Sequence, residues 1–599
     1  MNVKKPLTIS TKIFLVLSTL LIIPLTIFSK PCPIGPQTLT QSDGTTFQAL
    51  MQGDERYIHI ETIDGYTILK EGDDWYYAEL NLVGELVSTG KKVGEIAPES
   101  IGLEKHLKPS PEVFKKILES RLKDPIKPIR HRPCPDLPGA EKFDDPTLAA
   151  PITGTGKMLV ILADFSDKTW KTYVTADFQN ILFTTGIYPT GSLNDYFKEV
   201  SYNQFNVNGN IVDWTVPPQT YDYYCDNQQG VGTWPKNSQR LCYDIVQAVN
   251  STVDFSEYDT DSDGYVDCVT IVYEGPADGS NSQLWPHAWA LNTNQITLDG
   301  KIINRYNIVN EYETAPSKHV NPCGTFCHEY GHVLGNPDLY DYDSGYINVH
   351  DNNDNPVVDW CLMSSGNYGY ANGIAYQAPT HMCGLSKYYW MGWIVPTDIS
   401  AALTYTVKAI ENNHDAQTLY RVLKSGSTTE FFLIENRYPQ AIPASYFDKR
   451  FGQEDSPLDS GLIIMHVDLD MLSAPGRFNN GTPTNAHYGC WVEDPAENLS
   501  AWPYECKYDA ARCQEDSQTQ FGPSSTPYNS NWYDLSSGPT FSNISASGAT
   551  MTFQLGGGGG NETEPNDSFD QAQTVTLPAS INGSASNTDT GNITITAPK

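Results

Sequence analysis

A pair of histidines separated by three residues lies at His328 and His332, with Glu329 directly after the first. In an α-helix, residues i and i+4 lie on the same face, so both imidazoles can bind one zinc ion. Glu329 then lies beside the first ligand, where its carboxylate can take a proton from metal-bound water. The alternative is a surface helix with two solvated histidines. We predict a zinc hydrolase centre.

Zinc hydrolases usually have three protein ligands and one open position. The next Glu lies far downstream, which disfavours the arrangement with a distant Glu as the third ligand. Gly335 can end the helix in a left-handed turn, and Pro337 prevents the helix from resuming. Asp338, six residues after His332, can then return to the metal, as in the extended metzincin pattern with Asp in place of the third His. Alternatives without this turn signal are Asp341, Asp343 and His350.

A methionine follows in a segment that can form a turn. Met363 lies within residues 359–366, and the Ser-Ser-Gly end of that segment favours a turn. In metzincins a Met on a tight turn lies beneath the zinc, and here its thioether would supply an apolar floor under the histidines. The alternative is an ordinary packed core Met. Tyr368 could hydrogen-bond a tetrahedral intermediate, although its spacing from Met363 is longer than in some metzincins.

Two runs carry a family resemblance: His-Glu-Tyr-Gly-His-Val-Leu-Gly-Asn-Pro-Asp-Leu-Tyr-Asp at residues 328–341, and Asp-Trp-Cys-Leu-Met-Ser-Ser-Gly at residues 359–366. Together they resemble the M6 family of secreted metalloproteases, the immune inhibitor A group. The resemblance extends over about residues 40 to 555 and includes residues 191–197, 284–287, 432–437 and 461–468. It implies endopeptidase cleavage of proteins with zinc, plus structural calcium.

The elements that must position these residues form a mixed domain. Residues 158–165 are a continuous apolar run that predicts a buried strand, residues 193–200 predict a helix, and residues 205–214 alternate as strands do. We therefore expect an α/β (α+β) catalytic domain at residues 149–398, which the resemblance makes metzincin-like.

An acidic loop precedes another predicted strand. Acidic side chains occupy positions 1, 3, 5 and 9 of the loop, with Gly264 at position 6, which resembles the calcium loop of an EF-hand. Position 12 is Thr270 rather than a bidentate Glu, and residues 269–273 read as a strand. We predict a stabilising calcium site on a β scaffold; the alternative is an acidic solvated turn. The predicted ligands are Asp259, Asp261, Asp263, Tyr265 and Asp267.

Composition and the N-terminus indicate export. A net charge of -33 argues against nucleic-acid binding. Residues 1–30 combine a lysine-containing start with a short apolar run that contains Pro24, which predicts a signal peptide. No clear cleavage site follows, so an uncleaved anchor is an alternative. We expect a secreted, monomeric protein without stable membrane association, acting on protein or peptide substrates.

Residues 31–148 predict a β-rich propeptide that ends in a proline-rich stretch open to processing. Cys134 lies in that stretch, and its thiolate could hold the zymogen inactive by occupying the water position on zinc. The alternative is a disulfide, for instance with Cys32. The chain has 12 cysteines, and disulfides are the default in an exported protein. We expect a bridge involving Cys323 or Cys327 to anchor the zinc helix.

Residues 399–556 contain short alternating strands broken by turn residues, which predicts a β-sandwich. His466 and Asp468 there could bind metal, although structural hydrogen bonds are the favoured interpretation. Residues 557–561 form a glycine linker. Residues 562–599 resemble the start of a pre-peptidase C-terminal domain and are too short for a whole one.

These patterns predict a secreted zinc endopeptidase that is made as a zymogen and stabilised by calcium. One alternative is a catalytically inactive, calcium-dependent extracellular binding or adhesion protein. The complete set of Glu329 and ligands argues against it. The other alternative is a zinc enzyme acting on bonds other than peptides, which the propeptide-like segment disfavours.

Overall fold

A computed structural model describes three parts of the chain. We call them the N-terminal unit (residues 36–117), the central unit (residues 151–398) and the C-terminal unit (residues 399–556). The stretches that it describes are residues 28–29, 36–54, 57–72, 74–110, 112–114, 116–117, 151–277, 282–314, 317–340, 356–371, 374–424, 426–442, 447–449, 459–472, 489–493, 519–522, 539–556, 560–561 and 581–582.

The N-terminal unit consists of two three-stranded antiparallel sheets. One contains β2 (Pro36–Thr40), β3 (Thr46–Asp54) and β4 (Tyr57–Thr62), and the other β5 (Ile68–Glu71), β6 (Asp74–Leu80) and β7 (Leu86–Lys92). Trp75 and Tyr77 alternate inward along β6, as expected for a half-buried strand. Their apolar cluster includes Trp285 of the central unit, so the two units pack together. Residues 112–114 and 116–117 are helical.

A six-stranded sheet forms the middle of the central unit, in the order β1-β11-β14-β10-β8-β9. Strands β9, β8, β10 and β14 are parallel, β11 is antiparallel to β14, and the two-residue β1 pairs with β11. The bounds are β1 (Phe28–Ser29), β8 (Gly154–Ala163), β9 (Phe205–Thr215), β10 (Val269–Tyr273), β11 (His287–Ala290) and β14 (Arg305–Asn310). The apolar run in β8 is fully buried because helices and loops cover both of its faces.

Helices lie on both faces of this sheet. Ser192 begins α2 with a capping box, because its hydroxyl accepts from the Asp195 N–H while the Asp195 carboxylate accepts from the Ser192 N–H. The apolar core on the opposite face of the sheet includes residues of α3 and α4. The helix bounds are α1 (Thr175–Phe183), α2 (Leu193–Val200), α3 (Tyr221–Cys225), α4 (Ser238–Val249) and α5 (Cys323–Val333). Short hairpins are β12 (Ile296–Leu298) with β13 (Lys301–Ile303), and β15 (Tyr312–Glu313) with β16 (His319–Val320).

The C-terminal unit contains two sheets, one of five strands (β17-β19-β20-β21-β22), of which β17 is the end of the central unit, and one of three strands (β18-β24-β23). The bounds are β17 (Thr397–Asp398), β18 (Thr404–Lys408), β19 (Leu419–Leu423), β20 (Glu430–Arg437), β21 (Gly461–Asp468), α6 (Leu469–Leu472), β22 (Cys490–Val492), β23 (Phe541–Ser542) and β24 (Thr550–Leu555). Beyond this unit, β25 (Gly560–Asn561) pairs with β26 (Ile581–Asn582).

Strand β20 has two buried faces with different partners. Phe432 and Ile434 pack towards the three-stranded sheet, whereas Phe431 and Leu433 join the same apolar core as α5 of the central unit. The two-residue period of a strand accounts for this division. The central and C-terminal units therefore share one continuous core.

The structure is a mixed α/β protein with several sheets, and its strands and helices include those predicted at residues 158–165, 193–200, 205–214 and 269–273. Within the described part, no helix combines the length and the apolar character needed to cross a bilayer. Most of the predicted signal peptide (1–30), residues 31–35, the processing stretch with Cys134, the glycines at 557–559 and most of the 562–599 tail lie outside the described residues.

Candidate functional site

Helix α5 and the turn after it bring three potential ligand atoms together. The Nε2 atoms of His328 and His332 are 3.1 Å apart, and the Asp338 Oδ1 atom lies 3.1 Å from the first and 3.2 Å from the second. All three side chains are completely buried. The helix stops because Gly335 takes a φ of +95°, the left-handed conformation predicted from the sequence. Asp338 is thereby returned to the two histidines.

The backbone orients each of these side chains. The Nδ1 atom of His328 lies 2.9 Å from the Leu362 carbonyl oxygen, and that of His332 lies 2.8 Å from the Asn336 carbonyl oxygen. With Nδ1 donating to a carbonyl, each ring directs Nε2 towards the centre of the group. Next to Asp338, the Leu339 N–H donates to the Met363 carbonyl (2.7 Å). The carbonyls of Leu362 and Met363 thus hold His328 and the residue after Asp338 in place.

The charges of the site are coupled. Burial raises the pKa of Asp338, but the two histidines outweigh burial and hold that pKa well below its usual range. Burial lowers the pKa of His328, but the hydrogen bond and the charge of Asp338 raise it to about 9. For His332, burial prevails and the pKa is lowered. The site therefore keeps a carboxylate and an imidazole that are ready to bind a cation.

Glu329 is completely buried beside this group. Its carboxylate is near enough to His328 to contribute to the raised pKa of that histidine. A carboxylate adjacent to a metal group is suited to accept and return a proton. This placement matches the role predicted from the sequence, which stays a prediction.

Met363 lies beneath the helix. We call residues 361–366 the Met turn; within it, the N–H groups of Ser364 and Gly366 both donate to the Cys361 carbonyl. A Cβ atom added at Gly331 would lie only 2.5 Å from the Met363 Sδ atom. Gly331 therefore lets the thioether pack directly against the helix between the two histidines.

Tyr368 ends the 3₁₀ segment Ser365–Tyr368 and is fully buried. Its ring centroid lies 4.5 Å from that of Tyr376. The interaction places it in the core near α5, and its proposed contact with a reaction intermediate stays a prediction. The alternative third ligands Asp341, Asp343 and His350 lie outside the described residues.

Comparison with known proteins bears on this geometry. Residues 150–393 match the family described as immune inhibitor A peptidase M6, catalytic domain. This match indicates an M6 peptidase domain within this part of the chain. We call it the M6 domain.

Two curated relatives are similar to parts of the chain. The chain is 27% identical over 221 residues to immune inhibitor A of Bacillus thuringiensis subsp. alesti, covering 33% of this chain and 31% of that protein. It is 25% identical over 280 residues to the pre-pro-metalloprotease PrtV of Vibrio cholerae serotype O1, covering 39% of this chain and 29% of that protein. The match therefore spans less than a third of each relative's length.

The three ligand atoms of the M6 domain fit zinc. A tetrahedral zinc ion with bonds of about 2.0 Å requires ligand atoms about 3.3 Å apart. The observed separations of 3.1 to 3.2 Å are close to that value. Two imidazoles and one carboxylate also form the type of three-ligand set that leaves a position for water. A metal group is thus supported by the geometry of the chain itself.

The acidic loop forms a second cluster. Carboxylate oxygens of Asp259, Asp261 and Asp267 lie within 4.8 Å of one another. The Asp263 N–H donates to Asp259 and Asp261, while the Asp263 side chain accepts from the Tyr265 N–H. The structure thus brings three of the five predicted ligands together and gives Asp263 a hydrogen-bonding role within the loop.

A lysine lies against the acidic cluster. Lys301 Nζ is 2.5 Å from Asp259 Oδ2. Gly264, at the turn position of the loop, has a φ of +93°. The loop is followed by β10 rather than by a helix, as the sequence predicted. A divalent cation in this cluster would share the Asp259 carboxylate with Lys301 or take its place.

Two other predictions concern residues away from the group formed by His328, His332 and Asp338. His466 lies 2.9 Å from Glu430 and 3.3 Å from Glu493, and the Asp468 carboxylate accepts from backbone N–H groups at the start of α6. These are structural hydrogen bonds, the interpretation favoured from the sequence. Cys323 and Cys327 are free, buried thiols, so the structure contains no disulfide at either position to anchor the zinc helix. They lie in the apolar core, where free Cys packs as a small hydrophobic residue.

Sequence reasoning missed the groups that support the site. The carbonyls of Leu362 and Asn336 carry no side-chain signal, since any residue offers a carbonyl. It also missed Arg437, a fully buried arginine of the C-terminal unit whose Nη1 atom lies 3.2 Å from the Trp360 carbonyl oxygen. A charged residue inside an apolar strand was the one available signal for Arg437.

Proposed function

We propose that this protein is a secreted zinc-dependent endopeptidase of the metzincin type. The observation that carries the proposal is the buried group formed by His328, His332 and Asp338, with Glu329 beside it. The M6 family supports a metalloprotease, and the set of two histidines and one carboxylate supports zinc. The substrates are proteins or peptides, which is what the peptidase family implies.

When bound, zinc supplies a Lewis acid that lowers the pKa of water to about 7 and polarises the scissile carbonyl. His328, His332 and Asp338 hold the ion, and the carbonyls behind the two rings keep Nε2 directed towards it. Glu329 accepts the proton of the attacking water at a carboxylate oxygen and transfers it to the leaving amine nitrogen. Activity falls in acid as Glu329 and the ligands become protonated.

We further propose that the N-terminal unit belongs to a propeptide covering residues 31–148, and that the β-rich residues 399–556 form a sandwich. Two observations support these assignments: the separate sheets of the N-terminal unit, and the common core between the two C-terminal sheets. Cys134 remains our candidate for the latency switch. Residues 1–30 would direct export, and the tail from residue 562 would begin a pre-peptidase C-terminal domain.

Calcium is proposed as a structural ligand of the Asp259, Asp261 and Asp267 cluster. The hard carboxylate oxygens are of the type that calcium prefers. A bound divalent ion would add positive charge to a cluster of three carboxylates that has Lys301 as a cationic neighbour. The expected effect is greater stability of the loop before β10.

The decisive experiment measures bound zinc and casein cleavage on processed wild type and on Glu329→Gln. One zinc in both proteins, with cleavage only by wild type, is expected because Gln cannot accept the proton. Glu257→Gln, at a partly exposed ion pair with Lys157, is the control and should cleave like wild type. Zinc bound without wild-type cleavage would instead favour the inactive calcium-dependent binding protein. No bound zinc would overturn the proposal.

A further inference from the structure

A network of buried charges joins the C-terminal unit to the M6 domain. Arg437, at the end of β20, is fully buried, and its Nη2 donates to Asp448 (2.7 Å) and its Nη1 to Glu435 (3.2 Å). Its Nε atom lies 3.5 Å from Glu411, which is also buried. Burying charged groups costs desolvation free energy, so they persist only where each charge is compensated by a partner. Removing one partner leaves the other buried charges uncompensated.

The guanidinium also reaches the segment before the Met turn. Arg437 Nη1 donates to the Trp360 carbonyl (3.2 Å), and its guanidinium lies 6.0 Å from the centre of the Trp360 ring. Trp360 immediately precedes Cys361, the first residue of the Met turn. A residue of the C-terminal unit thus fixes the backbone at the point where the Met turn begins.

The two carboxylates beside Arg437 hold a second segment of the M6 domain. Asp448 accepts from the His381 N–H (2.8 Å), and Glu435 accepts from the Gly384 N–H. A Cβ atom at Gly384 would lie 2.5 Å from the Glu435 Oε2 atom, so the close approach requires glycine. Arg437 pairs with both carboxylates. Burial raises the pKa of Asp448, but the charge of Arg437 outweighs burial and that pKa is lowered to about 2.

This second segment in turn contacts both ends of the Met turn. The Thr380 N–H donates to the Gly366 carbonyl (2.8 Å), and the Cys383 N–H donates to the Cys361 sulfur (3.3 Å). The Met turn then supplies the carbonyls that position His328 and the residue after Asp338. Every step from Arg437 to His328, and to the residue after Asp338, is therefore a direct contact.

We propose that Arg437 is a positioning residue for the metal site, so that the C-terminal unit is part of the machinery that sets ligand geometry. The inference rests on the proposed zinc function for its catalytic consequence. Its structural content, that Arg437 sets the conformation of the Met turn, holds with or without metal. Arg437 itself touches neither substrate nor ligand.

The test replaces Arg437 with lysine, which keeps the positive charge but cannot donate to Trp360, Glu435 and Asp448 in the same fork geometry. The matched control is Arg421→Lys. Arg421 also joins the two units, through the Tyr388 hydroxyl and Asp398, which follow the Met turn and the second segment in the chain. Both variants are made in the full chain, and folding is checked by near-ultraviolet circular dichroism.

Three readouts are used. Cobalt(II) titration, followed by its visible spectrum, should show a dissociation constant about 10-fold to 100-fold higher for Arg437→Lys and an altered spectrum, the range typical for groups behind metal ligands. In metal-free protein, the amides of residues 361–366 should exchange hydrogen faster. Casein cleavage should lose kcat with little change in KM. Arg421→Lys should match wild type in all three.

A folded Arg437→Lys with the cobalt affinity and the exchange rates of wild type would overturn the proposal. If Arg437→Lys does not fold, Asp448→Asn replaces it, because this change removes the negative charge paired with Nη2 while leaving arginine in place. The cobalt affinity and the exchange rates of residues 361–366 in that variant then support or overturn the proposal in the same way. If wild type binds neither zinc nor cobalt, the proposed function fails, but the exchange rates of residues 361–366 still support or refute the role of Arg437.

Discussion

Gly331 offers a stringent test of how the Met turn packs beneath the histidines. In Gly331→Ala, the new Cβ would lie 2.5 Å from the Met363 Sδ atom, 3.2 Å from its Cε and 3.5 Å from the Met382 Cε. The first distance is too short to persist, so Met363 must move. The thioether is the flexible end of the side chain, so it can move while the carbonyls of Leu362 and Met363 stay in place, and the cost falls on the packing beneath the histidines.

The magnitude combines two opposing effects. Replacing Gly by Ala within a helix stabilises it by about 1 kcal/mol. Overpacking a buried contact costs about 1–3 kcal/mol, so Gly331→Ala should destabilise α5 by about 0–2 kcal/mol. Met363→Ala alone should cost about 2–5 kcal/mol through the cavity that it leaves. In the double variant the methyl group introduced at position 331 occupies part of that cavity and meets no sulfur, so the two effects should not add.

The assay is a double-mutant cycle on metal-free protein, with native-state hydrogen exchange of the α5 amides as the readout. Exchange reports the opening of this helix, whereas a protein of several units need not unfold in one step. We expect the double variant to be more stable than the sum of the single changes by about 1 kcal/mol or more. Additivity within about 0.5 kcal/mol would refute a direct contact between Gly331 and Met363.

Three further predictions concern the metals and the C-terminal unit. Asp338→Ala should lower zinc affinity more than about 100-fold, as measured by competition with a chromogenic chelator. This loss is larger than the loss of about 10-fold to 100-fold that is typical when a residue hydrogen-bonded to a metal ligand is replaced. Calcium at about 100 times its dissociation constant should stabilise wild type by about 2.7 kcal/mol, and Asp261→Asn should reduce this gain in thermal melts; an unchanged gain would place calcium elsewhere. Burial raises the pKa of Glu430, but His466 and Lys424 outweigh burial and lower it to about 2, so this carboxylate stabilises the fold above about pH 4.5 and that contribution disappears as the pH falls towards 2. Burial lowers the pKa of His466, but its carboxylate partners raise it overall, so the contribution of His466 is present below about pH 6.5 and is lost as the pH rises through the raised pKa; Glu430→Gln should flatten both limbs of the stability profile.

The parts of the site that could be predicted are those encoded by local spacing. The i, i+4 rule places His328 and His332 together in any helix that contains them. The return of Asp338 followed from Gly335 and Pro337, and the positive φ of Gly335 confirms the turn on which that prediction depended. Strands such as β8 were likewise readable, because a parallel strand buried on both faces is a continuous apolar run.

The parts that could not be predicted depend on contacts between residues far apart in the chain. The calcium pattern gave alternating ligands, but the structure groups only three of the carboxylates and uses Asp263 for hydrogen bonds within the loop. The disulfide near helix α5 was predicted only because disulfides are common in exported proteins. In the fold, Cys323 and Cys327 are packed in an apolar core that needs no crosslink to be filled.

Arg437 shows why metal ligands can be predicted from the sequence whereas the groups that position them cannot. A metal ligand must be a particular side chain, so sequence spacing reveals it. The groups that position the ligands here are mostly backbone carbonyls, which every residue has, and their placement depends on what packs behind them. In this protein the packing comes from a strand about one hundred residues downstream of the zinc helix, whose outer face holds its own sheet and whose inner face enters the catalytic core. A truncated chain ending at the M6 domain would keep every ligand and lose the guanidinium behind the Met turn, so we expect it to bind zinc weakly even though its metal-binding motif is intact.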